Sequence, residues 1–165
     1  MVREIKPNSP KHERTGDEIE IFLAGSIEMG KAELWGLKVI EALSVLKDSN
    51  ITVFNPRRDD WDSSWVQEQS NPQFNHQVNW ELNRLDTCDI VFMYFSPETK
   101  SPISLLELGR YIGIKEMIVC CPKGFWRKGN VDILCTRTGT PVFEDLDSAI
   151  GALITKINLY HNERN

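Results

Sequence analysis

The run Asp89-Ile90-Val91-Phe92-Met93-Tyr94-Phe95 is apolar at nearly every position after its first. A strand with one wet face alternates apolar and polar residues, whereas a strand apolar throughout is covered on both faces. Strands of that kind belong to parallel sheets whose connections are helices. The rest of the chain repeats the theme. Residues 19–24 are a second strand-length run, stopped by Gly25-Ser26, and residues 51–54, 116–121 and 141–143 are three more. Between them, apolar residues recur at helical spacing in 31–48, in 73–87 (Phe74, Val78, Leu82, Leu85) and in 145–160. Ser101-Pro102 opens a further helix, reaching residue 114, because proline is tolerated in a first turn. Residues 122–140 read as a Gly- and Lys-rich loop with one helical turn around 131–135.

Strand and helix alternate five times, which predicts an α/β fold. The expected architecture is a flavodoxin-like three-layer sandwich around a five-stranded parallel sheet of order 2-1-3-4-5, counting strands from residue 19. Residues 1–18, with Pro7, Pro10 and alternating charges, read as a flexible leader, and residues 19–165 as one domain.

Composition excludes several function classes. With 24 acidic and 19 basic residues the net charge is -5, unlike the basic surplus of a protein that binds nucleic-acid polymers. No stretch approaches 18 uninterrupted apolar residues, so no membrane partner is expected. The polar start of the chain lacks the apolar run of a signal peptide, which points to a cytoplasmic protein. Cys88, Cys120, Cys121 and Cys135 show no CxxC pair, so they read as reduced packing thiols rather than zinc ligands. His12, His76 and His161 are dispersed and suggest no triad.

In sheets of this order ligands bind beyond the carboxyl ends of the strands, near the switch between strands 1 and 3. That geometry selects three segments. Gly25-Ser26-Ile27-Glu28-Met29-Gly30 is either an anion-binding turn or an ordinary strand-to-helix turn; it is neither a Walker loop nor GxGxxG. Residues 55–65 carry Asn55, Arg57, Arg58, Asp60, Trp61 and Trp65. The indoles there either stack on a base whose edge Asp and Asn read, or pack the loop onto the body. The arginines either bind phosphate or neutralise neighbouring aspartates. In the third segment Glu107 interrupts Leu105-Leu106-Glu107-Leu108 on a helix that starts at the sheet edge. A half-buried carboxylate there suits a nucleophile or an acid/base. Ser104-Leu105-Leu106-Glu107 also fits a capping box, which would make Glu107 a helix cap. Glu81 flanks the buried stripe of the preceding helix, as a second acid or as a partner of Arg84.

Four motifs in order carry a family likeness: 21–27 (Ile-Phe-Leu-Ala-Gly-Ser-Ile), Phe54-Asn55-Pro56-Arg57, Asn79-Trp80-Glu81-Leu82 followed by Asp89-Ile90-Val91, and Leu106-Glu107-Leu108-Gly109-Arg110-Tyr111. Together, across residues 19–135, they resemble nucleoside 2-deoxyribosyltransferases, most closely the deoxyribosyltransferase-like branch. The resemblance implies cleavage of the N-glycosidic bond of 2′-deoxynucleosides. Glu107 would attack C1′ and form a deoxyribosyl ester, and Glu81 would stand where the family has an upstream helix acid. The sugar then passes to another nucleobase. Partners would be a deoxynucleoside or deoxynucleotide and a free base, with no metal or cofactor.

The chain also shares features with the related deoxynucleoside 5′-monophosphate N-glycosidases. Ser101 stands six residues before Glu107, where transferases often have aspartate, and Gly25-Ser26-Ile27 matches the hydrolase turn, although Glu28 follows where a basic residue is usual. Phe22 occupies the place of a tyrosine often found in the family. Asn130 or Asp132 lies in the region that a neighbouring subunit contributes in relatives, implying a homodimer or larger assembly. The resemblance leaves three readings: a transferase; a 5′-monophosphate hydrolase with the same nucleophile; and a non-catalytic nucleotide-binding protein on the same fold. The leaving base would take its proton from Glu81 or from an aspartate of the 59–62 loop.

Overall fold

A computed structural model describes residues 1–27, 34–58, 60, 62 and 64–164. The elements are β1 (Val2–Ile5), β2 (Ile19–Gly25), α1 (Trp35–Leu43), β3 (Ile51–Phe54), α2 (Pro72–Thr87), β4 (Ile90–Tyr94), α3 (Pro102–Tyr111), β5 (Glu116–Cys120), α4 (Lys128–Thr138), β6 (Val142–Phe143) and α5 (Leu146–Arg164). All strand pairs are parallel, and the sheet order is β1-β3-β2-β4-β5-β6. The fold is α/β as expected. The sheet is not the expected five-stranded one: among the described residues it has six strands, the addition being β1 outside β3.

Alternation along the strands divides the core in two. Phe22, Ala24, Val91, Met93 and Val119 face Leu85 of α2, Leu108 and Tyr111 of α3, and Val131 and Cys135 of α4. Ile21, Leu23, Ile90, Phe92 and Ile118 face Trp35, Val39 and Leu43 of α1, and Leu153 and Ile157 of α5. All of β4 is buried, the condition its composition demanded. The four cysteines are buried thiols. Among the described residues, no helix is long and apolar enough to cross a membrane.

Two local expectations are corrected. Residues 122–140 hold an eleven-residue helix, α4, rather than one turn. Gly129 and two threonines weaken its intrinsic preference, and burial of Val131 and Cys135 together with the left-handed cap at Gly139 (φ 68°) makes it form. The segment read as a leader begins with β1, which pairs with β3 from Val2↔Ile51 to Ile5↔Phe54. Arg3 and Glu4 in its middle hide a strand of only four residues from any periodicity test.

Charged contacts hold that segment down. His12 Nε2 lies 3.1 Å from Glu20 Oε1 and 3.4 Å from Glu18 Oε2, with all three side chains buried. Glu18 also accepts from the Thr52 hydroxyl and, at 3.1 Å, from the Thr15 amide. Arg14 donates to both Asp89 oxygens (2.9 and 2.8 Å) and to the Glu18 carbonyl (2.8 Å). Buried charges persist only when paired, so each member depends on the others.

At the other end of β2, Gly25 adopts φ +133° and pairs with Tyr94, and a β-carbon there would overlap the Tyr94 backbone. Two substitutions test these anchors by chemical denaturation. His12→Ala removes the ring that both buried carboxylates share and is expected to cost about 3 kcal/mol. Gly25→Ala is expected to cost about 2 kcal/mol or more, since both space and φ forbid the methyl group.

Candidate active site

The helices α2 and α3 each precede a neighbouring strand of a parallel sheet, so they run side by side in the same direction. Their C-terminal ends are clamped together. Tyr111 donates its hydroxyl to Asp86 Oδ1 at 2.8 Å, and Lys115 Nζ donates to the carbonyls of Asp86 (2.8 Å) and Cys88 (2.7 Å). Roughly one turn back from this clamp, at the same level, lie Glu107 on α3 and Glu81 on α2.

Both carboxylates are half-buried. Glu107 is not a helix cap: α3 starts at Pro102, with Ser101 as N-cap, so Glu107 sits in its second turn. Glu81 is not paired with Arg84, whose guanidinium lies over the Phe54 ring at 4.6 Å. Glu81 instead accepts from Gln77 Nε2 at 2.6 Å. Burial pushes the Glu81 carboxyl up to about 7, against the opposing effect of the Gln77 hydrogen bond. Burial pushes Glu107 up to about 8, helped by the negative charge of Glu81. Two acids that repel each other in a dry place share protons near neutral pH, the condition for one to act as acid and the other as nucleophile.

Beside α3, three buried hydroxyls meet. Ser26 Oγ, just beyond β2, lies 2.7 Å from Thr99 Oγ1 and 2.6 Å from Ser101 Oγ, and Thr99 and Ser101 are 2.7 Å apart. The Ser96 amide donates to Ser26 Oγ at 2.8 Å, and Trp35 Nε1 donates to the Ser26 carbonyl at 2.9 Å. Ser101 holds a left-handed backbone (φ 45°, ψ 52°), uncommon for serine, where β4 hands over to α3. The cluster bridges β2 and β4 at their carboxyl ends, the switch point of this sheet order.

The other expected residues divide. Gly25 ends β2 at this junction, and Ile27 is half-buried just beyond it. Phe22 is core, its ring 6.3 Å from that of Trp80. Asn55 is engaged with the backbone and β1: its amide donates to Glu4 Oε1 at 2.7 Å, and its Oδ1 accepts from the Arg57 amide at 3.1 Å. These contacts brace the turn after β3. Arg57 is half-buried in that turn. Asp60 is exposed, binds Arg58 through both oxygens (3.0 and 2.9 Å) and accepts from Asn8 at 3.0 Å. The Arg58 contact holds its carboxyl down at about 2, which unfits it to deliver a proton near neutral pH. Asp60 lines a cavity of about 400 Å³ with Lys6, Pro7, Asn8, Ser9 and Arg58, a set that includes neither Glu81 nor Glu107. Asp132 pairs with Lys128 on its own helix at 3.0 Å. Trp61, Asp59 and residues 28–30 lie outside the described residues.

Gln77 and Thr99 belong to this region and were not singled out from the sequence, and Trp80 stood there only within a family motif. Gln77 was discoverable, since it stands four residues before Glu81 on a helix. Thr99 carried no comparable signal, because only the folded turn brings it to Ser26.

A family model described as nucleoside 2-deoxyribosyltransferase like matches residues 18–125, and the chain belongs to that family. That span includes β2, α2 and α3, with both carboxylates. No curated protein matches the chain. A solved structure titled as a conserved protein from Enterococcus faecalis V583 shares the fold: the TM-score is 0.57 at 13% identity, over 84% of this chain and 98% of that one.

The carboxylate pair makes two predictions. In Glu81→Gln the repelling charge is gone, so the Glu107 midpoint, followed by carboxyl-carbon NMR, is expected to fall by about one pH unit. The folded state binds the Glu107 proton more tightly than the unfolded chain, so stability falls as pH rises from about 4.5 to about 8. Glu107→Gln is expected to flatten that decline in thermal denaturation across the same range.

Proposed function

We propose that the protein cleaves the N-glycosidic bond of 2′-deoxynucleosides and transfers the sugar to another nucleobase. The Glu107 carboxylate attacks C1′. The C1′–N bond breaks, and its electron pair leaves with the base nitrogen, which takes the proton from Glu81. In the second half, a nitrogen of the incoming base attacks C1′ and gives its proton to Glu81, and the ester bond to Glu107 breaks. Deoxyribose lacks an electron-withdrawing 2′-hydroxyl, so positive charge at C1′ develops readily. That charge favours the ionised form of Glu107 as the bond loosens, offsetting the burial that holds its proton in the free protein.

The observation that carries this reading is the carboxylate pair itself. Two half-buried acids on adjacent helices are pushed up to about 7 and about 8, and the upward push on Glu107 includes the charge of Glu81. The family supports a glycosyl-transfer activity of this type. With Asp60 held down at about 2, Glu81 is the better proton source of the two.

A second reading, hydrolysis of deoxynucleoside 5′-monophosphates by the same nucleophile, is favoured by the hydroxyls of Ser26, Thr99 and Ser101 at the N-terminus of α3. Hydroxyl groups and a helix N-terminus together suit a phosphate. In either reading the partners are a small deoxynucleoside or deoxynucleotide and a free base. Exposed Ile103 and Leu106 on α3, and exposed Trp126, whose Nε1 donates to the Lys100 carbonyl at 2.9 Å just before α3, support a homo-oligomer.

Incubation with deoxynucleosides and deoxynucleotides, with and without acceptor base, separates the readings by chromatography. Base exchange marks transfer, free base without acceptor marks hydrolysis, and tight binding without turnover marks a binding protein. Glu107→Gln is expected to reduce turnover by roughly a thousandfold or more with the fold intact. Undiminished turnover in that variant would overturn the assignment.

A further inference from the structure

Gln77 is buried at 4% exposure, one turn before Glu81 on α2. Its amide nitrogen spends both hydrogens: one goes to the Pro56 carbonyl in the turn after β3 (3.1 Å), the other to Glu81 Oε1 (2.6 Å). A backbone carbonyl only accepts, so the amide cannot be turned over without setting two oxygens against each other. That orientation leaves Gln77 Oε1 buried with no hydrogen-bond partner among the described residues. An unsatisfied buried acceptor is destabilising, and an apolar side chain of the same length would avoid it. Packing alone therefore gives no reason for an amide at this place; its two donors do.

We propose that Gln77 is a positioning residue: it fixes Glu81 beside Glu107 and supplies the donor that the Glu81 carboxylate needs once its proton has left with the base. The proposal rests on the reading of Glu81 as the acid, and it adds what makes that acid give up its proton. A neutral carboxyl and a carboxylate both accept from an N–H, but the charged form accepts far more strongly. The donor thus favours the state reached after proton delivery, and the second N–H ties that state to the turn after β3. Among the described residues, Gln77 on the same helix donates to Glu81, Arg84 is turned away over Phe54, and Glu107 on α3 is the acid whose proton Glu81 affects. The Gln77 bond is the influence that opposes burial at Glu81.

The test uses the full chain and Gln77→Met, which keeps length and removes both donors. With Glu107→Gln in the background to isolate one carboxyl, the Glu81 midpoint by carboxyl-carbon NMR is expected to rise by about one pH unit on Gln77→Met. In the Glu107-containing protein, kcat is expected to drop about tenfold with KM nearly unchanged, and the alkaline limb of the rate profile to move up. A midpoint that does not move in a folded Gln77→Met protein overturns the proposal. Should that variant not fold, the unmutated protein still decides. The Gln77 side-chain amide protons are expected to shift along a titration curve with the Glu81 midpoint, and amide protons indifferent to it overturn the proposal equally. These titrations need no turnover. Turnover that survives Glu107→Gln therefore removes the reaction reading while leaving the contact standing, and an unmoved Glu81 removes only the contact.

Discussion

The carboxyl ends of β2 and β4 meet at Gly25 and Tyr94, and the rest of the site depends on that closeness. No side chain fits between the two strands there. Because the pair is tight, the residue after β2 can reach across: the Ser26 amide donates to the Tyr94 carbonyl at 2.9 Å, and its hydroxyl joins Thr99 and Ser101. That junction sets where α3 begins and which way its first turn points. Glu107 lies in the second turn of α3, so its position follows from a contact between two backbones.

The protein buries carboxylates in two ways. At the amino ends of β2 and β3, Glu18 and Glu20 are buried among His12, Arg14, Thr15 and Thr52, a network in which each charge has a partner. On α2 and α3, Glu81 and Glu107 are half-buried, and among the described residues no basic side chain is paired with either: Glu81 has an amide, and Glu107 is raised by burial and by its neighbour's charge. Removing one partner of a buried charge is costly, and carboxyls shifted by burial are a feature that active sites retain. The contrast within one protein separates the network that holds down the chain start from a pair whose protons are retained by burial.

Much of this was legible in the chain. Glu107 and Glu81 stood out because each interrupts or flanks an apolar helical stripe, and helical spacing says which face a residue takes. Asn55 and Asp60 are also polar and also beyond a strand end, and in the folded chain both are engaged by other residues. Residue type and position do not tell whether a polar group is already satisfied. Asn55 is used by Glu4 and Arg57, and Asp60 by Arg58 and Asn8, and two of those partners lie about fifty residues away in the chain. The short β1 escaped for a related reason: four residues with two charges form a strand only because β3 offers an edge and the His12 network anchors the segment between β1 and β2.

From the amino-acid order alone came the parallel α/β class, the alternation that assigns each strand residue to one face of the sheet, and the two acids on helices that follow strands. These are local properties, written in periods of two and 3.6 residues. The tertiary structure decided the sixth strand, the partners of Asn55 and Asp60, the reach of Gln77 to Glu81, and the upward push on both acids. Hydrogen-bond satisfaction, desolvation and charge repulsion depend on groups distant in sequence, and only the packed chain brings those groups together.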